Sequence, residues 1–382
     1  MIYLDYAATT PVHPRVLDAM LPYFRESFGN PSSIHRYGQK AESALDAARE
    51  KVAAVLHCRP GEILFTSCGS ESDNLALRGA ALAKRKTGQE KILTAKNEHH
   101  AVSRTAEQLE KEYGFEVNWL GLDEHGSVTP DSLSRALDRD AALVSVMYAN
   151  NEIGTVNPIP ELSAAARSQN VTFHTDAVQA AAYLDVNVEK LGVDLISLGG
   201  HKFYGPKGVG ALYVRKGTGL IPHLTGGGQE FGLRAGTQNV PYIVGFAEAL
   251  RLALDERESR TTHVQPLRDH IIGQVLETIP DSRLTGHPQN RLPNHASFVF
   301  KDVDGNLLLQ MLDSAGFACS SGSACKTGNP EPSEVISALG FSRDWALGSL
   351  RITLGIDSTT EGIESFLNTL PGLVEKARNL SH

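Results

Sequence analysis

The chain has 382 residues, 41% of them hydrophobic, which is enough for a large core and favours two domains over one. A formal net charge of −8 gives no electrostatic reason to expect binding to nucleic acid or to an anionic membrane surface. The start, Met1 to Tyr6, lacks the basic and apolar run of a secretory signal, and no stretch reaches the roughly 18 apolar residues that span a bilayer, so a cytoplasmic protein is expected.

A helix is predicted from Ser32 to about Leu56, with a serine cap and alanine-rich, charge-speckled periodicity. Strands follow at 62–65, 91–94, 115–120, 142–147, 171–174, 194–198 and 210–214, most of them separated by helical patterns. Short apolar strands alternating with helices predict an α/β fold with a mostly parallel sheet sandwiched by helices. From Val240 to about Ile279 the pattern is helical, and a strand at 295–300 then opens a texture of short α and β pieces. The boundary is placed near Glu256, giving a large domain over 15–256 and a smaller α+β domain made of 1–14 and 257–382. The last helix starts after Thr360, with Pro371 and Gly372 marking a possible break. Four cysteines, Cys58, Cys68, Cys319 and Cys325, are too few and too irregular for a disulfide framework, and no histidine pair completes a metal-like spacing, so no metal is expected.

The chemistry concentrates between Phe173 and Lys207. Asp176 ends one apolar strand, Gln179 follows three residues later, and Gly199-Gly200-His201-Lys202 follows the next strand. A carboxylate for a pyridine nitrogen and an amine for an aldehyde are the two halves of a pyridoxal-phosphate site. Read singly, each has an ordinary alternative: a surface lysine in a glycine turn, a capping aspartate, a polar helix residue. The turn Thr66 to Ser70, with Gly69 and Ser70 at its end, opens a helical run and could present backbone N–H groups to a phosphate. There is no Gly-x-x-x-x-Gly-Lys or Gly-x-Gly-x-x-Gly pattern there to name a nucleotide.

His99 and His100 open another helix, so an imidazole can lie over a cofactor ring or move protons. Asn150 and Asn151 follow a strand at the same edge, although asparagine pairs there are usually turn formers. Arg351 sits in a strand-like run and has the planar fork that clamps a carboxylate; a structural salt bridge is its plainer role. Gly226-Gly227-Gly228 leads to Arg234-Ala235-Gly236-Thr237, a second candidate for phosphate donors or a simple flexible turn. Among the thiols, Cys325 stands between small residues and loop formers with Lys326 beside it, the setting expected of an exposed, mobile nucleophile. Cys58, Cys68 and Cys319 are expected to be inert small hydrophobes.

Together the blocks resemble the cysteine desulfurases related to bacterial NifS and IscS, within the fold-type I, class V aminotransferase-like enzymes. The likeness runs from Tyr3-Leu4-Asp5-Tyr6-Ala7-Ala8-Thr9-Thr10 and Phe28-Gly29-Asn30-Pro31-Ser32-Ser33 through Glu71-Ser72-Asp73-Asn74, Glu98-His99 and Asn150-Asn151-Glu152-Ile153-Gly154. It continues through Asp176-Ala177-Val178-Gln179, His201-Lys202, Arg234-Ala235-Gly236-Thr237 and Ser321-Gly322-Ser323-Ala324-Cys325. The resemblance implies pyridoxal 5'-phosphate as cofactor, with Lys202 bonded to it, His99 stacked on its ring, Asp176 at its nitrogen, and Gln179 and Asn151 at its phenolic oxygen. Gly69, Ser70 and His201 would hold the phosphate, with the Gly199-Gly200 backbone beside them and Thr237 supplied by the other subunit of a homodimer. Arg351 and Asn151 would orient the carboxylate of L-cysteine.

The implied reaction gives L-alanine and a persulfide on Cys325. Its sulfur would pass to a protein acceptor, either an iron-sulfur cluster scaffold or a tRNA-thiolation enzyme. Where many relatives have a phosphate-binding serine three residues before the lysine, this chain has Gly199. A selenocysteine lyase or another pyridoxal-phosphate lyase on the same fold is the enzyme alternative. A non-catalytic assembly or regulatory subunit is the alternative of another class.

Overall fold

The computed structural model describes residues 1–321 and 331–380, so Cys325, the expected nucleophile, lies outside the described residues. The strands in chain order are β1 (Ile2–Tyr3), β2 (Ile63–Thr66), β3 (Lys91–Ala95), β4 (Glu116–Leu120), β5 (Ala141–Ser145), β6 (Thr172–Asp176), β7 (Leu195–Gly199), β8 (Gly210–Val214), β9 (Ser282–Leu284), β10 (His295–Phe300), β11 (Phe317–Ala318) and β12 (Ser349–Thr353). A seven-stranded sheet has the order β2-β8-β7-β6-β5-β3-β4. Strands β4, β3, β5, β6 and β7 pair in parallel, and β8 is antiparallel to both of its neighbours. The link from β7 to β8 is shorter than the dozen or more residues a parallel crossover needs, so the chain must turn back there. Every residue of β5, β6 and β7 is buried, as strands covered by helices on both faces require.

A three-stranded antiparallel sheet, β12-β10-β9, is built from the C-terminal third, and β1 pairs with β11 in parallel, which carries the N-terminus across to it. The long helical stretch divides at Glu256 into Val240–Asp255 and Arg257–Thr278. Two local expectations differ from the structure. The first long helix runs over Arg36–Leu56, and its N-cap is His35, whose side chain accepts from the Gly38 N–H; Ser32 stands outside it. The last helix, Thr360–Leu380, continues through Pro371. One N–H is lost there, but Phe366, Leu370, Val374 and Ala377 form a buried stripe that holds the turns on either side together.

The sheet brings distant segments to one edge. Strands β5, β6 and β7 end there, and β2, antiparallel to β8, points the same way as β7. The helix Gly69–Arg85 therefore starts beside the carboxyl ends of β6 and β7, where open α/β sheets bind ligands.

Candidate active site

A cavity of about 240 Å³ opens at this edge, lined by residues from both ends of the chain. Lys202 reaches it from a short turn, Gly200–Lys202, directly after β7. Its Nζ donates to the carbonyls of Ala7 and Ala8, at 2.5 and 2.8 Å. Burial, reinforced by Arg351, lowers its pKa to about 8, so the amine loses its proton far more readily than an ordinary lysine, and about a tenth of it is neutral at pH 7. Asp176, the last residue of β6, accepts from the Val178 N–H at 2.8 Å. Burial raises its pKa, while His99 and Lys202 pull it back down.

His99 caps the helix His100–Tyr113, its Nδ1 accepting from the Ala101 N–H at 3.1 Å, and it stands open to the cleft. Protein packed on its other side disfavours the imidazolium. His201 also lines the cavity; its Nδ1 meets Thr9 Oγ1 at 3.2 Å, and burial with two neighbouring lysines lowers it to about 4, a neutral ring. Gln179 donates to Ala7 O at 2.8 Å, so this carbonyl ties both Gln179 and Lys202 to the N-terminal segment.

Gly69 and Ser70 line the same cavity at the helix start. The Glu71 and Ser72 N–H groups are taken by Cys68, through its Sγ and its carbonyl, which leaves the first N–H groups of the helix for an anion. A Cβ on Gly69 would come within 2.6 Å of Val178 Cγ2, so this cradle has no room for a side chain. Gly199 packs behind it: a Cβ there would lie 3.4 Å from the Gly69 nitrogen. Gly200 packs against Phe246 and Pro206, and neither glycine is in the cavity wall.

Arg351, on β12, closes the opposite side. Its Nη2 donates to Asp5 Oδ1 at 2.8 Å and its Nη1 to Asn151 O at 3.0 Å, while its buried Nε has no partner among the described residues. Asn151 lines the cavity as well. Thr237 does not; it opens onto a separate cavity with Arg234, Ser67 and Gln238. Arg234 is held by Glu71 at 2.8 Å.

Sequence reasoning missed several participants. The Ala7 and Ala8 carbonyls and the Asp5 partner of Arg351 carry no signal except the N-terminal motif that contains them. Asp73 is fully buried and lines the cavity, yet it reads as one polar residue among several at a helix start. Cys68, expected to be an inert buried thiol, instead caps the helix and lines the cavity. Cys58 and Cys319 are half-buried, and burial raises both thiols, Cys58 to about 12.

This donor set fits an organic cofactor with a phosphate, a ring nitrogen and an aldehyde: helix N–H groups, a buried carboxyl and a neutralisable amine in one cavity. Asp73, His99 and Asp176 also bring donor atoms within 4.8 Å of one another, but Nδ1 of His99 is committed to its helix and the Lys202 amine beside the group opposes a cation. Fold and site define a pyridoxal-phosphate enzyme of the fold-type I class.

Comparison with known proteins agrees. The family model described as aminotransferase class-V matches residues 2–366. The chain is 48% identical over 380 residues to a protein of Dictyoglomus turgidum named cysteine desulfurase IscS, covering all of this chain and 96% of that protein. It is 47% identical to the protein of the same name from Methanosarcina thermophila, covering 93% of it. A solved NifS-like protein superposes with a TM-score of 0.92 at 37% identity, covering 98% of this chain and 99% of that one. A structure described as SspA in complex with cysteine has a TM-score of 0.81 at 35% identity, covering 93% and 99%. The chain belongs to the class-V aminotransferase family and, within it, to the pyridoxal-phosphate-dependent cysteine desulfurases.

Proposed function

We propose that this cysteine desulfurase works through Lys202, His99 and Cys325, with Arg351 and Asn151 holding the α-carboxylate of L-cysteine. The gathering of Lys202, Asp176, His99 and Arg351 around one cavity is the observation that carries this reading. Pyridoxal phosphate, when bound, supplies an aldehyde for the amine and an electron sink for charge developing at the substrate's Cα. Asp176 would hold the ring nitrogen, Gln179 and Asn151 would hold the phenolic oxygen, and Gly69, Ser70 and His201 would hold the phosphate. Lys202, whose amine burial makes easier to deprotonate, would move the substrate's Cα proton. The Cys325 thiolate attacks the substrate sulfur; the new S–S bond forms as the C–S bond breaks, and its electron pair stays on carbon, which takes a proton and leaves as alanine. The test is Cys325→Ala: cofactor absorbance persists and persulfide formation stops. Sulfur transfer retained in that variant would end the assignment.

The chain is proposed to act as a homodimer, with Thr237 completing the phosphate site of the other subunit. Two observations support this: Thr237 lies outside the cavity of its own chain, and Leu17, Leu21, Phe24, Phe28 and Tyr37 leave apolar surface exposed. Sedimentation gives the mass directly. The sulfur acceptor is read as a protein of cluster assembly or tRNA thiolation, to be identified by trapping mixed disulfides with the persulfide form. Among the described residues no helix is long and apolar enough to cross a membrane, which accords with the cytoplasmic setting proposed here. Residues 15–256 and 1–14 with 257–382 are proposed as its two domains.

A further inference from the structure

Beneath the cavity lies a layer of buried acids that the reaction as described does not use. Asp73, in the first turns of the Gly69–Arg85 helix, is 1% exposed, and its Oδ1 has no hydrogen-bond partner among the described residues. The imidazole closest to that oxygen is His174 on β6, with Nε2 at 3.7 Å. Both nitrogens of that ring are taken by hydroxyls, Nδ1 with Ser145 at 2.8 Å and Nε2 with Ser197 at 3.0 Å. Burial lowers His174 to about 3, so it offers no positive charge. The charged groups acting on Asp73 are Asp176 from β6, Glu98 from the loop after β3, and Cys68 from its own helix start, and each of them disfavours a second anion.

Asp176 is placed differently although donor atoms of the two aspartates lie within 4.8 Å. It has the Val178 N–H and the attraction of His99 and Lys202. Two buried carboxyls this close do not both ionise: Asp73 has the Ser197 hydroxyl alone to favour its anion, whereas Asp176 has the Val178 N–H together with the Lys202 ammonium, and so keeps the charge.

We propose that Asp73 is a positioning residue that stays a neutral carboxylic acid and directs its proton toward Asp176, so that the floor carries one negative charge, placed under the ring nitrogen of the cofactor. This deepens the proposed function and rests on its assignment of Asp176. Glu98 adds to the same pattern: Oε1 accepts from the Met147 N–H at 2.7 Å, Oε2 has no partner among the described residues, and burial raises its pKa well above the usual carboxylate range.

The test compares Asp73→Asn, which keeps a neutral donor of the same shape, with Asp73→Val, which removes it. Infrared difference spectra of the parent against D73N, taken at neutral pH with and without pyridoxal phosphate, should lose the carbonyl band of a protonated carboxyl; loss of a carboxylate band instead overturns the proposal. Cofactor dissociation, read by absorbance and fluorescence, should change by less than about threefold in D73N and weaken at least about tenfold in D73V, roughly the loss of one good hydrogen bond. Equal weakening in both, or none in D73V, also overturns it. If D73V does not fold, the infrared arm and D73N decide. A parent protein that binds no pyridoxal phosphate fails the proposed function itself, and the infrared arm still reports the state of Asp73.

Discussion

The floor and the rim of this cavity handle charge in opposite ways. On the floor Asp73, and next to it Glu98, are buried and pair with no cation among the described residues, and burial raises both. At the rim, where Arg351 borders an adjoining cavity, charges are paired: Arg351 with Asp5 at 2.8 Å and Arg104 with Glu334 at 2.6 Å, while Glu152 there takes only a hydrogen bond from Ser333. An unpaired acid in a dry site gives up its charge, whereas a paired group near solvent keeps it. The cavity is thus neutral below except at Asp176 and ionic above, where a charged amino acid must arrive.

The largest effect that could break this comparison is Lys202→Ala, which removes the amine that lines the cavity between floor and rim. Alanine production should fall at least about a thousandfold, since positioned proton transfer alone contributes about 10²–10⁴; a loss under tenfold would show that another group does this work. Next is Arg351→Gln. If the rim binds the substrate carboxylate, the KM for cysteine rises about tenfold or more while cofactor absorbance is unchanged, as expected for a lost charge-assisted hydrogen bond. An unchanged KM would leave Arg351 as the salt bridge it already forms with Asp5.

Glu152 lies where the two regimes meet, because burial pushes it up to about 7 despite Ser333 and Arg351. Between its ordinary 4.5 and about 7 the folded protein binds more protons than the unfolded one, so stability falls as pH rises through that window, by up to about 3 kcal/mol. Melting temperatures across this range should lose that slope in Glu152→Gln, and parallel curves for parent and variant would place Glu152 with the ordinary rim ions. The smallest expected effect is Arg104→Ala. Its pair with Glu334 is half exposed, so stability should move by under about 1 kcal/mol in denaturant titration.

Much of this was legible beforehand. The strand at 295–300 and the one at 210–214 stand where apolar alternation put them, because a strand's inward face leaves its mark on adjacent residues. Lys202, Asp176 and His99 could be named because each sits at or just past a strand end or helix start inside a motif, and Arg351 because a guanidinium within a strand-like run suits a carboxylate. Asp73 could not be singled out, since nothing in Glu71-Ser72-Asp73-Asn74 says which polar side chain turns inward. Nor could the course of the last helix, where Pro371 reads as a break and the buried stripe along that helix overrides it.

The sequence by itself determined the α/β alternation, the residue types of the site, and the family to which their order belongs, because these depend on local pattern and on chemistry attached to named side chains. Only the tertiary structure decided which groups carry charge. Ionisation is set by desolvation and by neighbours hundreds of residues away, as when Asp5 meets Arg351 or the Ala7 carbonyl meets Lys202. Asp176 and Asp73 have the same side chain, and their surroundings alone give one the negative charge and the other the proton.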